Sequence, residues 1–417
     1  MTELPNGWHY RTLSEVCGLI TDGSHFSPKT QDSGYPYITV RDLNENGIDF
    51  TNCKFVSQES FDELEKNGCR PIIGDVLFSK DGTVGKVAQV LDKTKFVVLS
   101  SLAILRPNND FLTSEFLKYA LMSPVLLENA LGMKTGTALR RVVLRNLKTL
   151  EIPIPPMDEQ NKIVELLEDH LSRLDAALAD VKQAKIKAAQ FRRSLLQAAF
   201  TGNLDYDGAS LFAEWQTKTI GEIADTQLGK MLNKGKQSGK YAKPYLRTDN
   251  VHWGRFDLSE IKKMDILPEE QKKYLATKGD LLMCEGGASG RTAIWNEDYN
   301  ISFQNHVHRI RPKDPKEISP KYLLYYFEWF IKNGFASDLI KGVTISSLSQ
   351  SGLRSIEVAY PSIDEQHKIV GLLEDHLSRL ESSVSMSDAM EKQSNGLRRS
   401  LLQAAFTGRL IKEVLSV

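Results

Sequence analysis

Two basic, glycine-rich runs are the first residues whose composition suits a chemical role. The chain has no acidic residue between Glu128 and Glu151, and again none between Asp225 and Asp249. Lysine and arginine neutralise DNA phosphates and glycine lets a backbone approach a duplex, so both runs indicate contact with a phosphate backbone. A solvated surface loop is the competing interpretation. The basic candidates in these runs are Lys134, Arg140, Arg141, Lys230, Lys234, Lys236, Lys240 and Arg247.

A pair of matched loops offers a second way to contact phosphate. GDVLFSKDGTVGK at residues 74–86 matches GDLLMCEGGASGR at residues 279–291. A Walker A phosphate loop is excluded, because Lys80 stands where that motif needs glycine and Val87 stands where it needs serine or threonine. A hairpin that aims Lys80, Lys86 and Arg291 at DNA phosphate and a purely structural turn both remain open.

Catalytic and metal-binding patterns are sparse. The sequence has no NPPY-type methyltransferase motif, no GxGxxG after a strand, no GxSxG and no HExxH. Asp257, Glu260 and Lys262 are too closely spaced for a nuclease triad. His306 and His308 alternate on a predicted strand, but no second cluster supplies further zinc ligands. We therefore expect no catalytic residue, no metal, no cofactor and no enzymatic activity of the chain by itself.

Composition limits the class of protein. The chain has 417 residues with 41% hydrophobic composition, enough for two or three domains. Its 53 basic and 53 acidic residues cancel, so any DNA-binding surface must be local. The four cysteines show no CxxC spacing, and there is neither an apolar signal core nor a run of 18 apolar residues. These features predict a cytoplasmic protein without a membrane segment.

An internal repeat organises the elements that must position these loops. Residues 158–202 return as residues 364–408 without insertion or deletion, identical at 15 of the first 17 positions, none of the next 17 and all of the last 11. Apolar residues in both copies step by three and four, which predicts two long helices with a coiled-coil seam that pack on each other. The seam residues are Val164, Leu167, Leu171, Leu174, Leu178 and Val181, and then Val370, Leu373, Leu377, Leu380 and Val384.

Polar residues of exposed type are kept between the two copies together with the leucines. A spacer would keep only its seam, so the kept residues indicate that both copies present one surface to the same kind of partner. A recent duplication is the alternative, which the fully changed middle weakens. The candidate partner-binding residues are Glu168, Asp169, Arg173, Arg192, Arg193 and Gln197 in the first copy, and Glu374, Asp375, Arg379, Arg398, Arg399 and Gln403 in the second.

The segments before the helices also repeat, more weakly. WHYRTLSEV at residues 8–16 matches WQTKTIGEI at residues 215–223, and ILRP at residues 104–107 matches RIRP at residues 309–312. Short β-rich runs between glycine and asparagine turns, with one helical segment each, predict two mixed domains. We expect an α+β fold with an internal pseudo-two-fold repeat. Its parts are a domain at 1–157, a helix at 158–202, a domain at 203–363, and a helix and tail at 364–417.

The helix starts PPMDEQNKIVELLE and PSIDEQHKIVGLLE, with two copies of RRSLLQAAFTG, resemble the specificity subunits of type I restriction-modification systems over essentially the whole chain. The resemblance implies two target recognition domains, separated by antiparallel conserved helices, that each read one half of a split asymmetric sequence in double-stranded DNA. It also implies that the helices dock two adenine methyltransferase (modification) subunits, through which restriction subunits join. Gly371 and Gly396 depart from the pattern and should each weaken the second helix by roughly 1 kcal/mol relative to alanine.

Helix length is predicted to set the spacing of the two half-sites, which would lie about one turn, roughly 34 Å, apart. An altered middle, at residues 175–191 or in its copy, should change the spacer without changing either half-site. Two alternatives remain. A stand-alone DNA-binding or adaptor protein would bind its site tightly without partners, and an enzyme in its own right would cut or methylate DNA as a purified single chain.

Overall fold

The computed structural model describes residues 4–44, 47–132, 141–201, 204, 215–233, 235, 237–286, 289–341 and 347–411. Internal contacts divide the chain into two units. Unit 1 is Met1–Lys182 with Asp388–Val417, and unit 2 is Gln183–Ser387. Each unit therefore combines one globular region with part of both long helices.

Unit 1 is a mixed region of short strands and helices. Its strands are β1 (His9–Thr12), β2 (Cys17–Asp22), β3 (Tyr35–Ile38), β4 (Leu43–Asn44), β5 (Gly47–Ile48), β6 (Lys54–Val56), β7 (Val76–Ser79), β8 (Val87–Gln89), β9 (Val97–Val98), β10 (Leu102–Pro107) and β11 (Glu151–Ile154). Its helices are α1 (Leu13–Val16), α2 (Gln58–Lys66), α3 (Ser114–Met122), α4 (Pro124–Gly132), α5 (Leu144–Lys148) and the first part of α6 (Met157–Thr201).

Unit 2 follows a similar order of elements. Its strands are β12 (Gln216–Thr219), β13 (Ala224–Leu228), β14 (Ala242–Leu246), β15 (Val251–His252), β16 (Arg255–Phe256), β17 (Lys262–Asp265), β18 (Leu275–Ala276), β19 (Leu281–Cys284), β20 (Thr292–Ile294), β21 (Ile301–Phe303), β22 (Val307–Pro312), β23 (Ile340–Lys341), β24 (Ser347–Leu348) and β25 (Glu357–Tyr360). Its helices are α7 (Ile220–Ile223), α8 (Gln271–Tyr274), α9 (Pro320–Lys332), α10 (Gln350–Ser355) and the first part of α11 (Ile363–Phe406).

The two globular regions share their main sheet topology. A four-stranded sheet has the order β2-β10-β7-β8 in unit 1 and β13-β22-β19-β20 in unit 2. A second sheet has the order β6-β3-β9 in unit 1 and β17-β14-β21-β18 in unit 2. The antiparallel pairs β1–β11 and β12–β25 join the start of each region to the strand just before its long helix. The weak sequence repeat therefore corresponds to one fold used twice.

The long helices pack on each other inside each unit. In unit 1, Ile163 and Leu167 near the start of α6 share a buried cluster with Leu402 and Phe406 near the end of α11. In unit 2, Leu196 near the end of α6 is buried in the cluster that contains Leu373 of α11. In each unit the start of one long helix packs against the end of the other, so the two helices are antiparallel there.

The predicted α+β class is confirmed, with two mixed regions and two long, mutually packed helices. Helix α11 continues through Gly371 and Gly396, because packing along its length outweighs their low helix propensity. The β-rich residues 96–105 form two strands and not one, since a turn in which the Leu102 amide donates to the Leu99 carbonyl (2.9 Å) separates β9 from β10. None of the described helices is long and apolar enough to span a membrane.

Candidate nucleic-acid interface and helix surface

The buried aspartate near the start of each matched loop forms an ion pair with an arginine that is partly exposed. Asp75 accepts two hydrogen bonds from the Arg106 guanidinium, Nε to Oδ1 at 2.7 Å and Nη2 to Oδ2 at 2.9 Å. Asp280 accepts the corresponding bonds from Arg311, both at 2.6 Å. The preceding glycines adopt φ of +91° and +92°, which a residue with a side chain rarely tolerates. The Gly-Asp and Arg-Pro motifs therefore hold each sheet together.

The last residues of the matched loops also make contacts within the chain. Lys86 Nζ donates to the carbonyl oxygens of Val40 (3.0 Å) and Leu43 (2.6 Å). Arg291 Nη2 donates to the carbonyl oxygen of Thr248 (3.0 Å). Val40 and Thr248 begin equivalent 3₁₀ helices, so one contact recurs in both units. Of the two interpretations left open for these loops, the structural turn is the one that the contacts favour.

Three further basic candidates are engaged internally. Lys80 is only 1% exposed, with Nζ 2.9 Å from Asp22 Oδ2, so it does not reach a DNA phosphate as predicted. Lys230 donates to the Asp265 carbonyl (2.9 Å) and to the Glu270 carboxylate. Arg247 Nη1 lies 3.1 Å from Asp249 Oδ2 and its Nη2 3.5 Å from Glu260 Oε2. Carboxylates already balance these cations, which leaves little positive charge for phosphate.

Two of the basic candidates remain exposed. Lys240 lies in solvent with Nζ 5.5 Å from the centre of the Tyr241 ring, and Arg141 is exposed with Nε 3.7 Å from Asp81 Oδ2. Lys134, Arg140, Lys234 and Lys236 lie outside the described residues. Among the basic candidates that the structure describes, Lys240 and Arg141 are therefore the ones that a phosphate could reach.

Equivalent loops that follow β2 and β13 present large apolar side chains to solvent. Phe26 lies in the loop of residues 23–34 and is 84% exposed, and Met231 lies in the loop of residues 229–239 and is 71% exposed. Both loops begin at a glycine packed against backbone: a Cβ would come within 2.0 Å of the Val98 oxygen at Gly23 and within 2.3 Å of the Gln304 oxygen at Gly229. Charge alone singled out only the second loop, because the first carries little of it.

The C-terminal end of the second loop is bound by one carboxylate. Asp265 accepts hydrogen bonds from the Ser238 hydroxyl (2.7 Å) and from the backbone amides of Ser238, Gly239 (2.9 Å) and Tyr241 (3.2 Å). These donors, the Ser238 hydroxyl first, lower the pKa of Asp265 below its ordinary value. The loop base is therefore ordered by an ionised carboxylate.

The two histidines predicted to alternate on one strand have different surroundings. His308 lies buried in β22 with Nε2 2.8 Å from the Leu348 carbonyl, and its burial lowers its pKa. His306 precedes the strand and is exposed, with Nδ1 3.2 Å from Glu285 Oε2. No group of three or more His, Cys, Asp or Glu residues is placed to hold a metal within the part of the chain that the structure describes.

Some kept helix residues form the same exposed pattern in both copies. Arg173 pairs with Asp169 one turn earlier on α6 (2.9 Å), and Arg379 pairs with Asp375 on α11 (3.0 Å). Glu168 is exposed, whereas Glu374 pairs with Lys321 (2.8 Å). The Asp–Arg pairs are thus available to a partner protein.

Other kept helix residues contact the chain itself. Arg192 donates to Glu328 through Nε (2.7 Å) and Nη2 (2.8 Å), and Arg398 pairs with Asp175. Burial raises the pKa of Glu328, but the hydrogen bonds from Arg192 and Lys332 outweigh it and hold that pKa below its ordinary value. Gln197 accepts from Trp329 Nε1 (2.8 Å) and Arg193 donates to Asn333 Oδ1 (3.0 Å).

The glutamine of each DEQ motif joins a long helix to its globular region, a role that the sequence did not assign. Gln160 Nε2 donates to the carbonyls of Phe111 (2.8 Å) and Pro155 (3.0 Å). Gln366 repeats this with the carbonyls of Glu317 (2.8 Å) and Pro361 (3.0 Å). Each is fully buried, and each Oε1 accepts a backbone amide. Identity of the glutamine in both copies was the available signal.

Comparison with curated proteins gives relatives of one kind. The chain is 28% identical over 302 residues to the type I restriction enzyme EcoBI specificity subunit of Escherichia coli, covering 66% of this chain and 62% of that protein. It is 23% identical to the EcoKI specificity subunit of E. coli K12, covering 98% of this chain and 90% of that one. The similarity to EcoKI thus extends over both units.

Solved structures share the fold. A chain from a study of complex assembly and conformational transition of the type I R-M system superposes with a TM-score of 0.76 at 18% identity, covering 98% of this chain and all of that chain. The HsdS subunit from Thermoanaerobacter tengcongensis gives a TM-score of 0.58 at 19% identity, covering 98% of each chain. The family model of the type I restriction modification DNA specificity domain matches residues 5–188 and 213–385. Because the two matches together cover most of the 417 residues, the chain belongs to the type I restriction-modification DNA specificity family.

Proposed function

We propose that this chain is the non-catalytic subunit that directs a type I restriction-modification complex to a split, asymmetric DNA sequence. The globular regions at 1–157 and 203–363 each read one half-site. The conserved helices at 158–202 and 364–408 dock two modification subunits, through which restriction subunits join. The methyl transfer and the cleavage then belong to those partners.

One observation carries this proposal: several internal contacts recur in the two regions, whereas the exposed loops differ. Asp75–Arg106 and Asp280–Arg311 repeat, as do the contacts of Gln160 and Gln366. The loops at residues 23–34 and 229–239 differ in length and in most of the residues between their terminal glycines. One scaffold with two different loops is what reading two different half-sites requires.

The exposed loop residues suggest how DNA is contacted. An apolar side chain such as Phe26 or Met231 can pack on a thymine methyl group or wedge between bases. Lys240 and Arg141 would neutralise phosphates, which strengthens binding to any sequence. We therefore assign base choice to Phe26 and Met231 at the loop tips, and salt-dependent affinity to the exposed residues Lys240 and Arg141.

The exposed Asp–Arg pairs support docking on the helices. Asp169–Arg173 and Asp375–Arg379 place the same charges at the same positions of both copies. Salt bridges on a free surface contribute little to stability, so stability alone does not account for keeping them. One docking surface per copy predicts two bound modification subunits.

The test is co-expression with a modification subunit encoded beside this chain, followed by native mass spectrometry and sequencing of methylated host DNA. Two modification subunits per chain, with methyladenine at one split asymmetric sequence, are expected. A four-residue insertion at residues 175–191 should lengthen the spacer and leave both half-sites unchanged. Methylation that does not depend on this chain, with tight DNA binding by the chain alone, would instead favour a stand-alone DNA-binding protein.

A further inference from the structure

An arginine and a glutamine four residues apart lie within about the last two turns of each long helix, in segments that are identical in sequence. In unit 2 the pair is Arg193 and Gln197. Gln197 Oε1 accepts the indole N–H of Trp329 at 2.8 Å, and Arg193 Nε donates to the side-chain oxygen of Asn333 at 3.0 Å. Trp329 is buried beside Phe200, with ring centres 5.6 Å apart. In unit 2 the polar side-chain groups of Arg193 and Gln197 thus have hydrogen-bonding partners within the same chain, namely the Asn333 carboxamide and the Trp329 N–H.

In unit 1 the pair is Arg399 and Gln403, and its surroundings differ. Applying the repeat shift of 206 residues, Ser123 replaces Trp329 and Leu127 replaces Asn333. Arg399 and Gln403 are exposed, and neither side chain has a hydrogen-bonding or ionic partner among the residues that the structure describes. The supporting packing is retained, since Phe406 meets Phe116 at 5.2 Å as Phe200 meets Tyr322 at 5.3 Å.

An open groove lies beside the exposed pair. Its volume is about 380 Å³, within the range of sites that bind small ligands or a few side chains. Its walls are Pro124, Val125, Glu128, Gly396, Arg399, Ser400 and Gln403. It therefore offers an apolar wall at Pro124 and Val125, an acceptor at Gln403 and a cationic donor at Arg399.

We propose that this groove of unit 1 receives an aromatic side chain with an N–H donor, together with a nearby carbonyl, from a modification subunit. The aromatic N–H would donate to Gln403 and Arg399 would donate to the carbonyl, reproducing the contacts that Trp329 and Asn333 make within unit 2. Aromatic residues and arginine dominate binding energy at protein interfaces. The inference rests on the proposed docking of modification subunits and adds that the two docking surfaces are not equivalent.

The test compares matched double variants of the full chain with the purified modification subunit. Arg399→Ala/Gln403→Ala should weaken one of the two binding steps by about tenfold or more, measured by titration and native mass spectrometry, with the unfolding temperature unchanged. Arg193→Ala/Gln197→Ala should instead lower the unfolding temperature. Val125→Trp, which fills the groove from an exposed position, should weaken the same binding step as Arg399→Ala/Gln403→Ala.

Each outcome is decisive. If the wild-type chain binds two modification subunits and Arg399→Ala/Gln403→Ala binds both with unchanged affinity, the groove assignment is wrong while the proposed function stands. Equal weakening by the two double variants, at unchanged unfolding temperature, would also overturn it. Loss of self-association in place of partner binding would identify a second copy of this chain as the occupant. If the wild-type chain binds no modification subunit, both proposals are wrong.

Discussion

Arg192 and Arg398 occupy the same position in identical helix segments, yet they have different surroundings. Arg192 faces Glu328, which is 3% exposed, whereas Arg398 faces Asp175, which is 58% exposed. The reason lies in the globular regions, because Met122 of unit 1 occupies the position of Glu328. Identical helix residues can therefore pair with a buried carboxylate in one unit and with an exposed carboxylate in the other.

Removing each arginine tests that difference most strongly. Arg192→Ala leaves a buried carboxylate with only Lys332 beside it, so we expect unit 2 to lose about 3 kcal/mol of stability. Arg398→Ala should cost less than about 1 kcal/mol, since Asp175 becomes hydrated. Chemical denaturation followed by circular dichroism measures both, and equal losses would contradict the comparison. Arg192→Leu with Glu328→Leu should recover part of the loss.

The two buried glutamines, in contrast, should contribute equally to the free energy of unfolding. Gln160→Ala and Gln366→Ala each leave two carbonyls and one amide without their partner, so we expect a loss of about 2 kcal/mol in each case. Gln190→Ala, at an exposed site of α6, is the matched control and should cost almost nothing. A large difference between the two glutamine variants would show that the two helix–domain junctions are not equivalent.

The loop tips should separate the two half-sites. Phe26→Ala should weaken DNA binding by the assembled complex about tenfold, or about 1.4 kcal/mol, and relax base choice in one half-site only. Met231→Ala should act on the other half-site. Leu91→Ala removes a comparably exposed side chain (73%) elsewhere in unit 1 and should leave the methylated sequence unchanged. Methylome sequencing distinguishes these outcomes.

Exposed and internal lysines should differ in their effect on salt dependence. Lys240→Met should reduce the slope of log affinity against log salt concentration by about 1, because one phosphate contact is lost. Lys86→Met should leave that slope unchanged and lower the unfolding temperature, since it removes two carbonyl contacts. DNA binding measured at several salt concentrations checks both predictions. A change of slope for Lys86→Met would show that Lys86 contacts a DNA phosphate.

His308 should make unit 2 more sensitive to acid than unit 1, where the corresponding strand position is Ala103. Its folded pKa lies below its unfolded value of about 6.5, so the unfolded chain binds the proton more readily. The contribution of His308 is therefore present above that pH and is lost as the pH falls through the interval below it. Thermal unfolding between pH 7.5 and 5 should show this loss for wild type and a smaller one for His308→Gln.

Much of the architecture could be predicted because it depends on local sequence patterns. The seam at Val164, Leu167 and Leu171 is buried as expected, and the helices begin beside their prolines. Charge did not draw attention to the loop at residues 23–34, because its most exposed large side chain is the phenylalanine Phe26 and not a cation. The internal partners of Lys80 and Lys86 could not be predicted, because charge in a sequence does not show whether a carboxylate or a carbonyl lies within reach.

The sequence by itself determined the repeat, the two long helices and the family resemblance, since these depend on periodicity and on identity between copies. Tertiary structure alone decided the role of each repeated polar residue. Arg192 meets Glu328 across 136 residues of chain, and Gln160 meets the Phe111 carbonyl across 49. Such contacts depend on which side chain a distant element presents, so identical segments can have an internal partner in unit 2 and an open groove in unit 1.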